Sequence, residues 1–217
     1  MKEIYIVATP IGNLEDITIR AINTLKEVDI ILCENPKNHL KLLKHYGIKG
    51  KRLIKITSAN EENSINGIIK LLEIGKKVAL VSDAGTPNIS DPGGTIVKEL
   101  TKRGIKCTPI PGPSSLTAAL SVSPINISKF IFYGFLPKNT NKVVKVINEL
   151  KDEKLPIVFF VSSHKIEELI QILCKHFPNI EIAIFKEITK INEEVIFGKP
   201  CEIKIETKGE FVVIVKP

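Results

Sequence analysis

The sequence predicts an α/β protein of two domains, the first built on a largely parallel open sheet and the second on a mixed one. Three observations predict it. Short apolar runs alternate with helix-periodic segments through the first half, the pattern of strand-helix-strand units. The run Pro109-Ile110-Pro111-Gly112-Pro113 then breaks both periodicities, which divides the chain into domains at 1–110 and 113–217. In the second half the last two strand-like runs have little helix between them, so neighbouring strands there need not be parallel. A chain of 217 residues accommodates two domains of about 100 residues each. A composition 43% hydrophobic and 25% charged supplies enough apolar side chain for two cores.

Ile4–Ala8 reads as the first strand, an apolar run too short for a signal peptide. Ile17–Lys26 reads as a helix, Val28–Cys33 as a strand, Leu40–Tyr46 as a helix and Arg52–Ile56 as a strand. Between Asn63 and Ile74 the residues Ile65, Ile68, Ile69, Leu71 and Leu72 recur at mostly helical spacing, and Gly75 ends the helix. Lys77–Ser82 is strand-like, Thr95–Arg103 is a helix closed by Gly104, and Ile105–Ile110 is a strand. Beyond the prolines, Ser114 and Ser115 stand near the start of a helix with Ala118 and Ala119 at its centre. Strands follow at Phe130–Gly134, Pro156–Val161, Ile180–Lys186, Glu193–Gly198 and Glu210–Lys216. Helices at Lys142–Leu150 and Lys165–Phe177 separate the first three.

Composition narrows the function classes. No run approaches the roughly 18 apolar residues of a membrane span, and the expectation is a cytoplasmic protein without a membrane partner. Cys33, Cys107, Cys174 and Cys201 lie far apart, with no CxxC pair and no clustered histidines. That pattern predicts free thiols buried in strands and helices, with no disulfide framework and no metal site. The net charge of +7 invites a nucleic-acid partner. The basic residues are nearly all lysine, with arginine only at positions 20, 52 and 103, and most of those lysines read as solvated. GxxxxGK[ST], a GxGxxG after the first strand, HExxH and EF-hand loops are absent from the sequence, and Gly112-Pro113-Ser114-Ser115 lacks the second glycine of a nucleophile elbow.

Three loops remain. The first, Ala8 to Leu14, carries Pro10, Ile11 and Gly12; proline stiffens it and glycine permits a positive φ. The second runs from Ser82 to Gly94 through Ala84, Gly85, Thr86 and Ile89. A long small-residue loop after a buried strand is costly to order and suits ligand binding at the C-terminal edge of a parallel sheet. The third, Pro111 to Ser115, brings the Ser114 and Ser115 hydroxyls and helix N–H groups to the domain boundary. Together they predict a ligand in an interdomain cleft.

The segments YIVATPIGNLEDIT at 5–18, ALVSDAGTP at 79–87, ISDPG at 89–93 and PIPGPS at 109–114 closely resemble the ribosomal RNA small-subunit methyltransferase I family, within the tetrapyrrole-methylase superfamily of class III methyltransferases. The resemblance continues through FYGFLPK at 132–138, KEITK at 186–190 and KGE at 208–210, so it covers essentially the whole chain. It implies a tetrapyrrole-methylase-like fold with S-adenosylmethionine in the cleft, and a homodimer that methylates a cytidine 2′-hydroxyl in 16S rRNA of the small ribosomal subunit. The chain departs from the family at three places. Glu34-Asn35-Pro36-Lys37 replaces Glu-Asp-Thr-Arg, Ser58-Ala59-Asn60-Glu61 replaces His-Glu-His-Asn, and Val161-Ser162-Ser163-His164-Lys165 replaces Glu-Ser-Pro-His-Arg.

On this reading Pro10, Ile11, Gly12, Ala84, Gly85, Thr86, Ile89, Ser114 and Ser115 contact the cofactor, and Phe160 or Phe185 meets its adenine. Glu34 and Asp83, each just after a predicted strand, are the candidate general bases, with Glu187 third. The alternative roles are that Glu34 caps a helix and Asp83 orders its own loop. Lys37, Lys138, Lys165 and Lys190 are candidate phosphate contacts. His39, His45 and His176 fall in helical segments without a partner pattern, and His164 reads as a cap or packing residue. Two rival functions stay open: a class III methyltransferase of a small molecule such as a tetrapyrrole, and a catalytically inactive RNA-binding or ribosome-assembly factor on the same scaffold. The segment Ala84-Gly85-Thr86-Pro87, in place of the Gly-Asp-Pro of the tetrapyrrole enzymes, weighs against the first.

Overall fold

The computed structural model describes residues 2–137 and 139–217. Lys138 therefore lies outside the described residues. The chain divides into two compact units, 1–114 and 115–217.

The first unit holds five strands: β1 (Glu3–Val7), β2 (Ile30–Cys33), β3 (Arg52–Lys55), β4 (Val78–Val81) and β5 (Lys106–Ile110). They form one sheet in the order β3-β2-β4-β1-β5, and each neighbouring pair is parallel. Both faces are covered, so β2 and β4 are buried at every position, as continuous Ile/Leu/Val runs in a parallel sheet require. Helices α1 (Ile19–Glu27) and α2 (Pro36–His45) send Ala21, Leu25 and Leu43 into one core layer with Val7, Ile31 and Val81. On the other face α3 (Glu61–Glu73) and α4 (Gly94–Lys102) contribute Ile68, Leu72, Ile96 and Leu100 against Ile4, Leu32 and Leu80.

Helix α2 begins four residues before the predicted Leu40. The reason is local: the Asn35 side chain accepts from the Lys37 N–H, and Pro36 occupies the first turn, where its missing N–H costs nothing. The apolar period starts only at Leu40 because the first turn is polar. Thr18 caps α1 in the same way, accepting from the Ala21 N–H at 3.1 Å.

The second unit opens with α5 (Ser115–Ser121), followed by β6 (Ile131–Phe135), α6 (Thr140–Leu150), β7 (Ile157–Ser162), α7 (Ile166–His176), β8 (Glu181–Lys186), β9 (Glu194–Gly198) and β10 (Glu210–Lys216). The sheet order is β6-β7-β10-β8-β9. Only β6 and β7 pair in parallel; β10 runs antiparallel to β7 and β8, and β9 antiparallel to β8. This is the mixed sheet that the scarce helix near the C-terminus predicts. Val143, Ile147, Leu169 and Leu173 of α6 and α7 pack on one face with Phe159 and Ile184. Ala119 of α5 packs on the other with Val158, Phe185 and Ile214.

The prediction of four free thiols fails. Cys174, near the end of α7, and Cys201, in the 3₁₀ turn Pro200–Glu202, form a disulfide across 27 residues. No short-range motif announces this pair, because it exists only where the return toward β10 lays that turn against α7. Cys33 is buried and Cys107 half-buried, both as free thiols.

Candidate functional site

The three loops named from the sequence that belong to the first unit do meet. Thr9 and Gly85 exchange backbone hydrogen bonds, Thr9 N–H to Gly85 O at 2.9 Å and Gly85 N–H to Thr9 O at 3.0 Å. The Thr9 hydroxyl donates to Ser82 O, and the Ser82 hydroxyl to Gly85 O, each at 2.9 Å. Thr86 Oγ1 donates to Pro113 O at 3.2 Å, and Ala8 N–H donates to Ile110 O at 3.2 Å. The ends of β1, β4 and β5 are thereby tied into one main-chain floor.

Two glycines make that floor possible. Gly85 has φ 86°, and a Cβ there would stand 3.2 Å from Ile11 Cγ2. A Cβ at Gly112 would meet Ala8 Cβ at 3.0 Å. Without side chains at these two positions the loops after β1, β4 and β5 approach one another at backbone distance. Pro10 and Ile11 are buried beneath the loop, while Gly12 and Ala84 are exposed, Thr86 is half-buried and Ile89 is 38% exposed.

The acidic side chains stand at the same strand ends. Glu34 follows β2 and Asp83 follows β4. Asp83 Oδ1 accepts the Asn35 N–H at 3.0 Å, and Oδ2 accepts from Asn38 Nδ2 at 3.1 Å. Asp83 therefore clasps the first turn of α2, where a carboxylate also complements the helix dipole. Beside the roles drawn from the sequence, as base or as organiser of its own loop, Asp83 thus has a structural role toward α2. Glu34 is not the helix cap, since Asn35 is.

Two participants escape the sequence reading. His39 on α2 is 3% exposed, and its Nε2 lies 3.3 Å from Asp83 Oδ1. It is within ion-pair range but off the hydrogen-bond direction, so Nε2 has no hydrogen-bond partner. Burial lowers the His39 pKa against the opposing pull of Asp83, which keeps the ring neutral. Asp91, half-buried in the loop between β4 and α4, has its carboxyl pushed up to about 6 by burial and then by the charges of Glu34 and Asp83, with the Ser82 hydroxyl pulling the other way. The loop that presents it holds Asn88 at φ 71° and Ser90 at φ 67°, conformations that side-chain-bearing residues keep only when their surroundings enforce them. The first turn of α4, which follows the loop, is held by Glu61, whose buried carboxylate accepts the Ile96 N–H at 2.9 Å.

The remaining candidates lie in the second unit. Glu187 Oε1 accepts from Lys190 Nζ at 2.9 Å and from the Glu210 N–H at 2.8 Å. Burial raises its pKa, but these bonds together hold it below the ordinary value. Glu187 thus closes its own loop. Lys190 is further paired to Glu210 at 2.8 Å, and Lys165 to Glu168 at 2.5 Å. Of the four candidate phosphate contacts, Lys37 is exposed. Ser115 opens α5. Phe160 keeps partial exposure beside Phe132 and Phe135, with ring centroids 5.0 and 5.8 Å away. Phe185 is fully enclosed in the core under α5; it packs, and no part of its ring is left for adenine.

A parallel sheet whose strand-end loops form a glycine-lined main-chain floor, together with a second mixed α/β unit, is the architecture of a class III methylase. The chain matches the family of Tetrapyrrole (Corrin/Porphyrin) Methylases over residues 3–203. Among solved structures it is similar to diphthine synthase, with a TM-score of 0.74 at 17% identity over 98% of this chain and 89% of that one, which bears on the fold alone. Within that superfamily the chain belongs to the ribosomal RNA small subunit methyltransferase I family. It is 42% identical over 215 residues to the member from Coprothermobacter proteolyticus, covering 99% of this chain and 97% of the relative. It is 44% identical over 219 residues to the member from Thermotoga maritima, covering 99% and 98%. Among the described residues no helix is long and apolar enough to cross a membrane.

The exposed Gly12 and Ala84 flank this floor, and the places where its loops meet most closely, Gly85 against Ile11 and Gly112 against Ala8, are glycines.

Proposed function

We propose that this protein transfers a methyl group from S-adenosylmethionine to the ribose 2′-hydroxyl of a cytidine in 16S rRNA, acting on the small ribosomal subunit in the cytoplasm as a homodimer. The observation that carries the reading is near-full-length identity of 42–44% to proteins named ribosomal RNA small subunit methyltransferase I, joined to an intact main-chain floor. The net charge of +7 favours a polyanionic substrate.

The sulfonium donor supplies a methyl group that is already activated, so no covalent enzyme intermediate is needed. The chain's own residues then have two tasks. Backbone groups of the Pro10–Gly12 and Gly85–Ile89 loops hold the donor still, where fixing two reactants in line contributes about 7–11 kcal/mol. The acidic side chains after β2 and β4 face the acceptor, whose hydroxyl proton must leave.

The test is ribose-methylation mapping of ribosomal RNA from cells with the gene, without it, and with it restored. One 16S cytidine should lose its 2′-methyl group on deletion and regain it on restoration. An unchanged methylation map would sink the reading.

A further inference from the structure

Residues 35–60 hold seven of the 31 basic residues of the chain and no aspartate or glutamate. Their formal charge therefore equals the +7 of the whole protein, and the remainder of the sequence is balanced. This stretch spans α2 and β3, the latter an outermost strand of the first sheet. Lys51 is engaged: its Nζ donates to Lys26 O and Val28 O at 2.6 and 2.7 Å, closing the end of α1. The other six, Lys37, Lys41, Lys44, Lys49, Arg52 and Lys55, are all exposed. Cations on other helices are matched, Lys102 and Arg103 by Glu99, Lys145 by Glu149 and Lys165 by Glu168. Among the described residues none of the six has such a partner.

Exposed lysines can be no more than a solvated face, and cations on an edge strand discourage pairing with another strand. That second role accounts for Arg52 and Lys55 on β3, but not for α2. On α2 the positions 37, 41 and 44 are spaced i, i+4 and i+7, so their side chains form one row over about 10 Å. His39, Leu42 and Leu43 are buried on the opposite side of the helix. Like charges in a row repel, and α2 itself has no carboxylate to relieve them. Lys37 stands in the first turn, where a cation also opposes the helix dipole. A polyanion laid along the row removes both penalties.

The row is fixed in register with the candidate ligand site. Asp83, in the loop after β4, accepts the Asn35 N–H and Asn38 Nδ2, so the turn bearing Lys37 is fastened to the strand-end loops. Leu53 packs in the core layer with Leu43 of α2, and strand alternation puts Lys55 on that same side. We infer that Lys37, Lys41 and Lys44, extended by Lys55, bind the phosphate backbone of the RNA substrate beside those loops. The identity of that RNA rests on the methyl-transfer reading above. Leu40 is the one large apolar side chain that α2 exposes, too little to enter a lipid surface.

The experiment compares wild-type protein with three triple variants. The first is Lys37→Gln, Lys41→Gln and Lys44→Gln, since glutamine keeps the helix propensity of lysine. The second replaces the same three by arginine, which keeps the charge. The third is Lys70→Gln, Lys98→Gln and Lys102→Gln, exposed positions on α3 and α4 across the sheet. Binding to small ribosomal subunits from cells lacking the gene is measured between about 50 and 200 mM salt. Calorimetric S-adenosylmethionine affinity, ribose methylation by the wild-type protein and binding to phosphatidylglycerol vesicles are measured alongside. At about 100 mM salt the α2 glutamine variant should bind subunits about 10–100-fold more weakly, with a salt slope smaller in magnitude by about 2–3. The arginine variant and the α3/α4 control should stay within about threefold of wild type, because charges beyond about 10 Å are screened. Cofactor affinity should be equal in all four proteins.

An α2 glutamine variant that binds no more weakly than the control, or with the wild-type salt slope, overturns the inference and leaves methyl transfer standing. A loss shared by the arginine variant also overturns it, because the charge is kept. So does loss of vesicle binding with subunit binding intact, which would make the row a membrane contact. Wild-type protein that binds subunits through this row yet methylates no ribose overturns the functional reading and leaves the RNA contact standing.

Discussion

Thr9 and Gly85 each give and take a backbone hydrogen bond, at 2.9 and 3.0 Å, so the loops after β1 and β4 behave as one piece. Gly85→Ala tests that unity. The new methyl would press on Ile11 Cγ2 at a φ of 86°, which costs about 1–2 kcal/mol for an L-residue with no room to relax. Thermal unfolding of the variant should begin earlier, and calorimetry should show weaker S-adenosylmethionine binding. A variant with unaltered affinity would remove the Thr9–Gly85 floor from the ligand site.

Asp83→Asn should act through α2. The replacement places an NH₂ opposite either the Asn35 N–H or Asn38 Nδ2, both donors. Loss of one charge-assisted bond and of the favourable helix-dipole term costs about 1.5–3 kcal/mol. Denaturant titration should show that loss, and Asp83→Ala should show a similar one. Full stability in both variants would mean the clasp contributes nothing.

Stability should depend on Asp91 with a definite sign. Its folded carboxyl is raised to about 6 from an ordinary 3.8, so the native state holds that proton more tightly than the unfolded chain does. The favourable contribution is complete below about pH 4 and is lost as pH rises through about 6. Asp91→Asn therefore should raise stability at pH 7.5 by about 1 kcal/mol once partial exposure is discounted, seen as a higher melting temperature, and leave it unchanged at pH 4. Melting curves at the two pH values decide the matter, and a destabilised variant at pH 7.5 contradicts it.

Glu34→Gln should shift the same titration. Glu34 raises Asp91 through its charge, so neutralising it should move the Asp91 midpoint, followed by carboxyl NMR, to lower pH. An unmoved midpoint would show that the two carboxylates do not sense each other.

The Cys174–Cys201 bond closes a loop spanning 27 residues. A closure of that length contributes about 2–4 kcal/mol. Unreduced, unfolded protein should yield the two thiols of Cys33 and Cys107 to a colorimetric reagent, and reduced protein all four cysteines. The reduced protein should also melt earlier. Four thiols without reductant would show that the bond does not form.

Much of the fold is legible in residue order because its signals are local. The strand over Glu210–Lys216 is read at its observed bounds, since an unbroken valine-rich run between Gly209 and the final proline admits little else. The start of α2 is missed because capping by Asn35 and Pro36 carries no apolar period. The loops around Thr9 and Gly85 stand out by their small residues and placement after strands. Asp91 does not, although it lies in one of those loops. What sets it apart is the company of Glu34, which reaches it only because β2 and β4 are neighbours in the sheet. Strand order and the cysteine pairing share that non-local character.

The clasp between Asp83 and the Asn35 amide gives the molecule a built-in gauge. That amide proton lies outside any helical or sheet ladder, and its only described acceptor belongs to the loop that leads to Asp91. Its exchange with deuterium is therefore set by how often the loop opens rather than by the unravelling of α2. A ligand that quiets the loop would slow one backbone signal, at Asn35, without touching the residue that reports it.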